Sequence, residues 1–394
     1  MRASLRIAVA ATLLLTAACS AAPAPPPAAP ARVVGYFADW GVYARDYQVR
    51  DVADSGAAAR LTHLVYAFGK VTDGRCTTSN AWTDHQKPVP AASSVDGVAD
   101  TGPLRGTIGQ LRELKERHPR LKVLWSFGGW TGSGGFAAAS RDPDTFAASC
   151  HALLTDPRWA GVFDGIDIDW EYPNACGLAC DTSGPDALAR LLAALRSRFG
   201  PDAVVSAAVP GDVGKLDKAH YAAASVSVDW LSAMTYDYFG TGGGTGPTAV
   251  HSPLTAYPGI PRSTATAGST VDKLLALGVP PGKILLGIGF YGRGWTGVTA
   301  PTPGTRGTGP APGRFQAGLE DYRVLRDRCP PSGTAGGTAY AACGAEWWGY
   351  DTPETVKAKM GYARSRSLGG AFAWELSGDS ATAELLTAMA DGLR

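Results

Sequence analysis

Carboxylic acids and apolar residues alternate in the segment DGIDIDWEYP, residues 164–173. Because successive side chains of a β-strand point to opposite faces, the pattern predicts a strand that presents Asp167, Asp169 and Glu171 on one face. A strand covered on both faces usually consists of apolar residues alone. Burying three acids together is unfavourable unless they share protons, hydrogen-bond to one another or take part in a reaction. The segment therefore predicts an active site.

Two kinds of chemistry suit acids in this arrangement. The first is a divalent-metal site, because Asp-x-Asp-x-Glu can offer oxygen ligands. Such sites usually recruit further acids or histidines, and the six histidines of the chain form no motif. The second is acid catalysis on a glycosidic bond, which requires a carboxyl group that stays protonated near neutral pH. Packing Glu171 beside Asp169 favours this second chemistry, because burial and like charge raise the pKa of one partner. We therefore expect no metal and no cofactor.

The acids belong to one of eight short apolar segments that alternate with helical patterns. The predicted strands are Val33–Ala38, Leu61–Phe68, Lys122–Phe127, Val162–Glu171, Ala203–Val209, Val228–Tyr236, Ile284–Phe290 and Gly370–Leu376. The predicted helices include Leu104–Arg117, Pro143–Leu154, Pro185–Phe199, Val271–Leu277, Pro353–Ser367 and Ala381–Leu393. Eight such units predict an α/β fold of the (β/α)8 TIM-barrel type. A doubly wound open sheet is the alternative, but no glycine fingerprint for a dinucleotide follows the first strand.

The regular spacing of elements fails once, between strand 7 and the helix predicted at Pro353. About sixty residues lie there, and a structureless loop of that length is uncommon in a compact domain. We predict a small α+β insertion between strand 7 and helix 7, at residues 295–349. It would lie within a catalytic domain at residues 32–394.

The first thirty residues are expected to lie outside this domain. Basic residues precede an apolar run, Ile7 to Ala18, which is the arrangement of a secretory signal and is too short to span a membrane. We predict a signal peptide at residues 1–19, an Ala/Pro-rich linker at residues 20–31, and a secreted, extracellular protein. The segment Leu-Thr-Ala-Ala-Cys19 resembles the bacterial lipoprotein signal, in which the cysteine is lipidated. Ordinary cleavage nearby is the alternative.

The remaining six cysteines are an even number, as expected for disulfide bonds in an exported protein. Sequence alone does not choose among the pairings, but closeness along the chain suggests Cys176–Cys180 and Cys329–Cys343, which leaves Cys76–Cys150.

The net charge of +1 gives no indication of a nucleic-acid partner. We expect a monomer.

Residues suited to binding a sugar stand near the predicted C-terminal ends of other strands, where (β/α)8 barrels carry their active sites. They are Tyr36, Phe68, Gly128, Gly129, Trp130, Met234, Tyr236, Asp237, Arg293 and Trp374. Each has an ordinary structural explanation, since aromatic residues in strands are usually core residues and paired glycines often mark turns. Their coincidence at strand ends is what supports a binding site.

Four motifs resemble those of glycoside hydrolase family 18, the chitinases, and they occur in the order typical of that family. They are Asp164-x-x-Asp167-x-Asp169-x-Glu171, Ser126-x-Gly128-Gly129, Met234-x-Tyr236-Asp237 and Trp374. The rim insertion resembles that of the bacterial subfamily with deep clefts. The resemblance implies hydrolysis of β-1,4 bonds between the N-acetylglucosamine units of chitin and its oligomers.

The same resemblance implies roles for single residues. Glu171 would protonate the leaving oxygen while the substrate's own N-acetyl oxygen attacks the anomeric carbon, so that configuration is retained. Asp169 would bind the acetamido N–H, Asp167 would tune Asp169, and Tyr236 would also bind the acetamido group. Asp164 has the opposite parity and is expected to bond to main chain near the start of the strand. Contacts to the sugar chain would come from Tyr36, Trp40, Phe68, Gly128, Gly129, Trp130, Tyr172, Met234, Asp237, Arg293 and Trp374.

Two alternatives to a chitinase remain. Some members of the family are sugar-binding lectins that have lost the acid, but Glu171 is present in this sequence. Endo-β-N-acetylglucosaminidases that cut N-glycans typically lack the deep-cleft insertion and keep fewer subsite tryptophans. The sequence does not decide between endo and exo action.

Overall fold

The computed structural model describes residues 30–241 and 245–394. The predicted signal peptide, Cys19 with its predicted lipid attachment, and most of the predicted linker lie outside these residues. Among the helices of the described part, none combines the length and the hydropathy needed to cross a membrane.

A closed barrel of eight parallel strands forms the centre of the described chain. In chain order the strands are β1 (Arg32–Ala38), β2 (His63–Thr72), β3 (Lys122–Gly128), β4 (Gly165–Asp169), β5 (Val204–Val209), β6 (Trp230–Ala233), β7 (Ile284–Gly289) and β8 (Gly370–Trp374). Each strand pairs with its neighbours in sequence order, and β1 pairs with β8 to close the barrel, with Arg32 opposite Gly370. The predicted (β/α)8 barrel is confirmed, and the closing pair rules out the open sheet.

Alternate residues of each strand face the barrel interior and the surrounding helices. In β4, Ile166 and Ile168 are fully buried in the layer between strands and helices. Asp167 and Asp169 therefore point to the interior, whose apolar part includes Tyr36 of β1. This alternation is what places the two acids inside the barrel.

Asp164 lies just before β4 and outside the barrel interior. Its carboxylate accepts hydrogen bonds from the Val123 amide at 2.8 Å and from the Lys115 ammonium at 2.6 Å. Lys122 forms a further ion pair with it at 3.2 Å. The prediction that Asp164 bonds to main chain near the start of the strand is confirmed.

Helices alternate with the strands and cover the barrel. The helices of the described residues are Val49–Asp54, Gly106–Arg117, Phe136–Ala139, Pro143–Leu154, Ala187–Phe199, Val213–Leu216, Tyr221–Val226, Ala267–Ala276, Tyr322–Arg328, Pro353–Ser365 and Glu384–Leu393. The helix predicted to begin at Val271 begins four residues earlier, because the Thr266 side chain accepts a hydrogen bond from the Ser269 amide and caps it.

A second, antiparallel sheet follows β7 directly. Its strands are Tyr291–Thr296, Gly309–Pro310, Leu319–Asp321, Gly333–Ala335, Thr338–Cys343 and Glu346–Tyr350. Arg45 in the loop after β1 joins this sheet to the barrel, since its guanidinium donates to both carboxylate oxygens of Asp321, at 2.5 and 2.6 Å. Both partners are largely buried, so the contact fixes the sheet beside the C-terminal ends of the barrel strands.

Three disulfides connect the six cysteines of the described chain. They are Cys76–Cys150, Cys176–Cys180 and Cys329–Cys343, which is the predicted pairing. Cys76 and Cys150 are buried, whereas Cys176 and Cys180 lie exposed in the loop after β4.

Candidate active site

Asp167 lies at the centre of the barrel and is fully buried. Three hydroxyl groups from three strands donate to its carboxylate: Tyr36 at 2.9 Å, Ser126 at 2.7 Å and Ser206 at 2.6 Å. Burial raises the pKa of Asp167, and these three hydrogen bonds oppose that rise. The carboxylate is therefore held in one orientation by β1, β3 and β5 together.

Asp169 is the next inward-facing residue of β4, and its surroundings are different. Its Oδ1 atom is buried and has no hydrogen-bond partner among the described residues. Burial raises its pKa well above the usual range, and the charges of Glu171 and Asp167 raise it further. Since buried polar atoms are almost always hydrogen-bonded, this oxygen is suited to accept a bond from a ligand or to carry a proton.

Glu171 lies beyond the strand, because β4 ends at Asp169. The prediction of one strand through Glu171 is wrong at this end, and the reason is local. The main chain turns from the barrel to the loop after β3: Gly129 donates its amide to the Asp169 carbonyl at 2.8 Å. The Glu171 amide then donates to the hydroxyl of Ser133, also at 2.8 Å. These two bonds direct the Glu171 side chain to the rim of the barrel.

The environment of Glu171 keeps its carboxyl group protonated at mildly acidic pH. Burial raises its pKa to about 7, and the negative charge of Asp237 acts in the same direction. Tyr172 and Lys215 act in the opposite direction. A group with this pKa can donate a proton and recover it near neutral pH, as general acid catalysis requires.

Asp237 and Arg293 form a bidentate ion pair between the ends of β6 and β7. Arg293 donates from Nε and from Nη2, both at 2.8 Å. Burial alone would raise the pKa of Asp237, but the guanidinium holds it well below its usual range. The Asp237 carboxylate therefore stays ionised near Glu171.

Tyr236 is half-buried beside this ion pair, with its ring packed edge-on against Tyr291 and Phe372. Burial raises the pKa of its hydroxyl well above the usual range, and the charge of Asp169 adds to the effect. The hydroxyl therefore remains a hydrogen-bond donor at all ordinary pH values. Met234, two residues earlier, is half-buried against the apolar interior of the barrel.

An aromatic cluster forms one side of the site, at the ends of β1, β2 and β8. Trp374 stacks on Phe68 with ring centroids 5.6 Å apart, and it meets Tyr36 edge-on at 5.5 Å. Trp40 lies 6.2 Å from Trp374 and is 44% exposed. The cluster thus extends from the barrel interior to the surface.

A second aromatic pair lies beyond the ends of β3 and β4. Trp130 is 49% exposed and its ring lies 6.5 Å from that of Tyr172. The Lys215 ammonium stands 3.9 Å from the centroid of the Tyr172 ring, a cation–π contact. Exposed tryptophans therefore lie in both aromatic groups, Trp40 in the first and Trp130 in the second.

Gly128 and Gly129 bring the ends of β3 and β4 together. A Cβ on Gly128 would lie 2.1 Å from the Asp169 carbonyl oxygen, and its φ of +114° is one that other residues rarely adopt. A Cβ on Gly129 would meet the ring of Phe68 at 2.6 Å. Both glycines are therefore required by close packing around the acids.

Four residues of the site were not found from the sequence. Ser206 could have been found, because it has the inward parity of its strand. Ser133, Lys215 and His251 lie in or beside loops, where no periodicity marks them.

The chain is similar to known proteins along most of its length. The model of glycosyl hydrolases family 18 matches residues 32–379. Chitinase 63 of Streptomyces plicatus is 53% identical over 378 residues, which cover 94% of this chain and 62% of that protein. Chitinase C of Streptomyces lividans is 55% identical over 357 residues, which cover 89% and 58%. The chain thus spans about three fifths of the length of these curated relatives.

Among solved structures, the catalytic domain of psychrophilic chitinase B from Arthrobacter TAD20 is similar, with a TM-score of 0.87 and 34% identity. The match covers 93% of this chain and 95% of that one. Since the family model spans the whole barrel, from β1 to β8, the protein belongs to glycosyl hydrolase family 18.

Proposed function

We propose that the protein is a chitinase that hydrolyses β-1,4 bonds between N-acetylglucosamine units with retention of configuration. The observation that carries the proposal is the pair formed by Glu171 and Asp169. Glu171 has a pKa of about 7, and Asp169 beside it keeps a buried oxygen without a partner among the described residues. Such a pair can supply a proton and bind an acetamide at one sugar unit.

In the first step, Glu171 gives its proton to the glycosidic oxygen as the bond to the anomeric carbon breaks. The carbonyl oxygen of the substrate's own acetamido group forms the new bond to that carbon, which gives an oxazolinium ion. Asp169 accepts the acetamido N–H and stabilises the positive charge, while Asp167 fixes and tunes Asp169. Tyr236 donates to the acetamido oxygen and orients it.

In the second step, water attacks the anomeric carbon and the bond to the acetamido oxygen breaks. The Glu171 carboxylate takes a proton from this water and returns to its starting state. Both steps proceed by inversion at the same carbon, so that the product keeps the β configuration. The cycle thus uses the Glu171 carboxyl group, the substrate's own acetamido group and one water molecule.

The sugar chain would lie across the barrel end between the two aromatic groups. Trp374 would form the floor under the reacting sugar, with Tyr36, Phe68 and Trp40 on the non-reducing side. Trp130 and Tyr172 would bind the leaving-group side. The remaining contacts would come from Gly128, Gly129, Met234, Asp237 and Arg293.

The inserted subdomain, residues 295–349, would form a wall along one side of this cleft. A deep cleft favours exo or processive action, because the polymer stays bound between cuts. We expect a dominant disaccharide product from soluble polymer. Products of random length would contradict this part of the proposal.

We also propose that residues 1–19 direct export and that the mature enzyme acts outside the cell as a monomer. Lipid attachment at Cys19 is one outcome, and free secretion after cleavage nearby is the other. The mass of the mature N-terminal peptide distinguishes them, because a diacylglyceryl group adds to the mass of Cys19.

Wild type and Glu171→Gln test the function directly. We expect wild type to cleave N-acetylglucosamine oligomers, and we expect the variant to bind them with unchanged affinity while turnover falls by about 100-fold or more. Calorimetry measures binding, and chromatography of the products measures turnover. Binding without turnover in both proteins would indicate a lectin, and release of N-glycans instead would indicate an endo-β-N-acetylglucosaminidase.

A further inference from the structure

His251 is a fully buried residue behind the Asp237–Arg293 pair, and it contacts both Asp237 and the strand that carries Arg293. The Asp237 amide lies 3.4 Å from its Nδ1 atom, and the Tyr291 carbonyl oxygen lies 3.1 Å from its Nε2 atom. Its side chain is 0% exposed. The imidazole is therefore too deeply buried to touch the substrate. It contacts Asp237, however, which directly follows Tyr236 in the sequence.

The two partners determine which nitrogen carries the hydrogen. A main-chain amide can only donate, so Nδ1 of His251 must accept from Asp237. A carbonyl oxygen can only accept, so Nε2 must donate to Tyr291. The contact with the Asp237 amide therefore places the ring hydrogen on Nε2, and both ring nitrogens are used.

The main chain of His251 is fixed independently of its ring. Its carbonyl oxygen accepts the Tyr238 amide at 3.0 Å. The next residue, Ser252, accepts from the buried Lys359 ammonium at 2.7 Å and from the Thr338 hydroxyl at 2.7 Å. Lys359 also pairs with Asp351 at 2.6 Å, completely buried. The ring therefore extends from a rigid base.

Asp237 needs such support because its backbone is unfavourable. Its φ is +57°, in the left-handed region that most residues avoid and that Asp adopts less readily than glycine. In this conformation its carboxylate meets Arg293 and its charge acts on Glu171. The hydrogen bond to Nδ1 is the contact that holds the Asp237 amide in place.

We propose that His251 is a positioning residue for the reaction, which holds the Asp237–Arg293 pair beside Glu171 by accepting the Asp237 amide at Nδ1, while Nε2 anchors the ring on the Tyr291 carbonyl. This inference rests on the proposed function. It differs from a packing role, because it requires a hydrogen-bond acceptor at the position of Nδ1 rather than volume alone.

Two substitutions of His251 distinguish the contribution of Nδ1 from that of Nε2. His251→Asn places an oxygen near the position of Nδ1 and can still accept the Asp237 amide. His251→Gln places an amide nitrogen near the position of Nε2 and can still donate to Tyr291, but it leaves the Asp237 amide without its acceptor. We expect kcat to fall less than about 3-fold in the Asn variant and about 10-fold or more in the Gln variant, since small displacements of reacting groups are costly. KM should change less than kcat in both.

A measurement on the wild type accompanies the variants, in case either fails to fold. In protein labelled with ¹⁵N-histidine, the nitrogen shifts of His251 should show hydrogen on Nε2 alone. Hydrogen on Nδ1 would overturn the proposal. Equal losses of kcat in folded Asn and Gln variants would also overturn it and would indicate packing. If wild type itself fails to cleave the oligomers, the proposed function is wrong, and the nitrogen shifts still decide the hydrogen bonds.

Discussion

Asp167 and Asp169 are two residues apart on one strand and both point into the barrel interior, yet their hydrogen bonding differs. Asp167 has three hydroxyl donors, whereas Oδ1 of Asp169 has no partner among the described residues. Glu171, just beyond the strand, is the one of the three that has access to solvent. When the surroundings of two neighbouring acids give them different pKa values, one of the two carboxyl groups can stay protonated and act as an acid. The environments therefore support unequal roles.

The charge of Lys215 offers a test of Glu171 as the acid. Because the acid acts in its protonated form, kcat/KM should fall as pH rises through about 7, the pKa of Glu171. Lys215 lowers that pKa, so Lys215→Met should raise it and move the alkaline limb to higher pH. The measurement is the pH profile of kcat/KM on a soluble oligomer.

Lys218→Met is the matched control, because Lys218 is exposed in the same segment and its loss changes the net charge equally. We expect the control to leave the profile unchanged. A shift of the Lys215→Met profile to lower pH would contradict the assignment of Glu171 as the proton donor.

At the residue scale, the sequence predicted those parts of the site that follow from strand parity. Asp167 and Asp169 face inward because they alternate with isoleucines, and this alternation can be read from the amino-acid sequence. The partners of Glu171 were not predicted, because Ser133 and Lys215 lie in short helical turns after β3 and β5, and the positions of these turns depend on the folded barrel. Likewise, His251 becomes adjacent to Asp237 only after 14 residues of chain return to the rim.

At the scale of elements, the contact between the ends of β3 and β4 decides where Glu171 points. Gly128 allows this contact, since any Cβ there would lie 2.1 Å from the Asp169 carbonyl oxygen. We expect Gly128→Ala to separate the two strand ends, to reduce kcat/KM by about 10-fold or more, and to lower the free energy of unfolding by about 2 kcal/mol. Oligomer hydrolysis and urea unfolding measure the two effects.

Gly134→Ala is the control in the same loop, because a Cβ there meets nothing within 4 Å. It should leave activity and stability nearly unchanged. Full activity in Gly128→Ala would show that the β3–β4 contact does not position the acid.

Element boundaries show where sequence reasoning loses accuracy. The eight strands were predicted from their apolar runs, but β4 ends two residues early, because its main chain bonds to the β3 loop. The helix that begins at Ala267 was predicted to begin at Val271, because its cap, Thr266, lies in a stretch rich in Ser, Thr and Ala. Tertiary contacts and single side-chain caps set these ends, and neither is periodic.

At the scale of the whole molecule, the three disulfides close loops of very different length. Cys76–Cys150 spans 74 residues, whereas Cys176–Cys180 spans 4. Because a cross-link restricts the unfolded chain more when its loop is longer, replacing the first pair by alanine should lower the free energy of unfolding by about 4 kcal/mol, and replacing the second by about 2 kcal/mol. Denaturant unfolding of the two double variants measures this. Equal losses would contradict the loop-length explanation.

At the scale of the whole molecule, the closed barrel also brings the ends of seven strands, β1 to β4 and β6 to β8, around the acids. The central claim of the proposed function is how this site would break the glycosidic bond. The most direct test is ¹H NMR of the reducing ends formed in the first minutes of hydrolysis of an N-acetylglucosamine oligomer. Attack by the substrate's acetamido oxygen followed by water predicts that the new ends appear as the β anomer and only later equilibrate. Initial appearance of the α anomer would mean a single inversion and would contradict the mechanism.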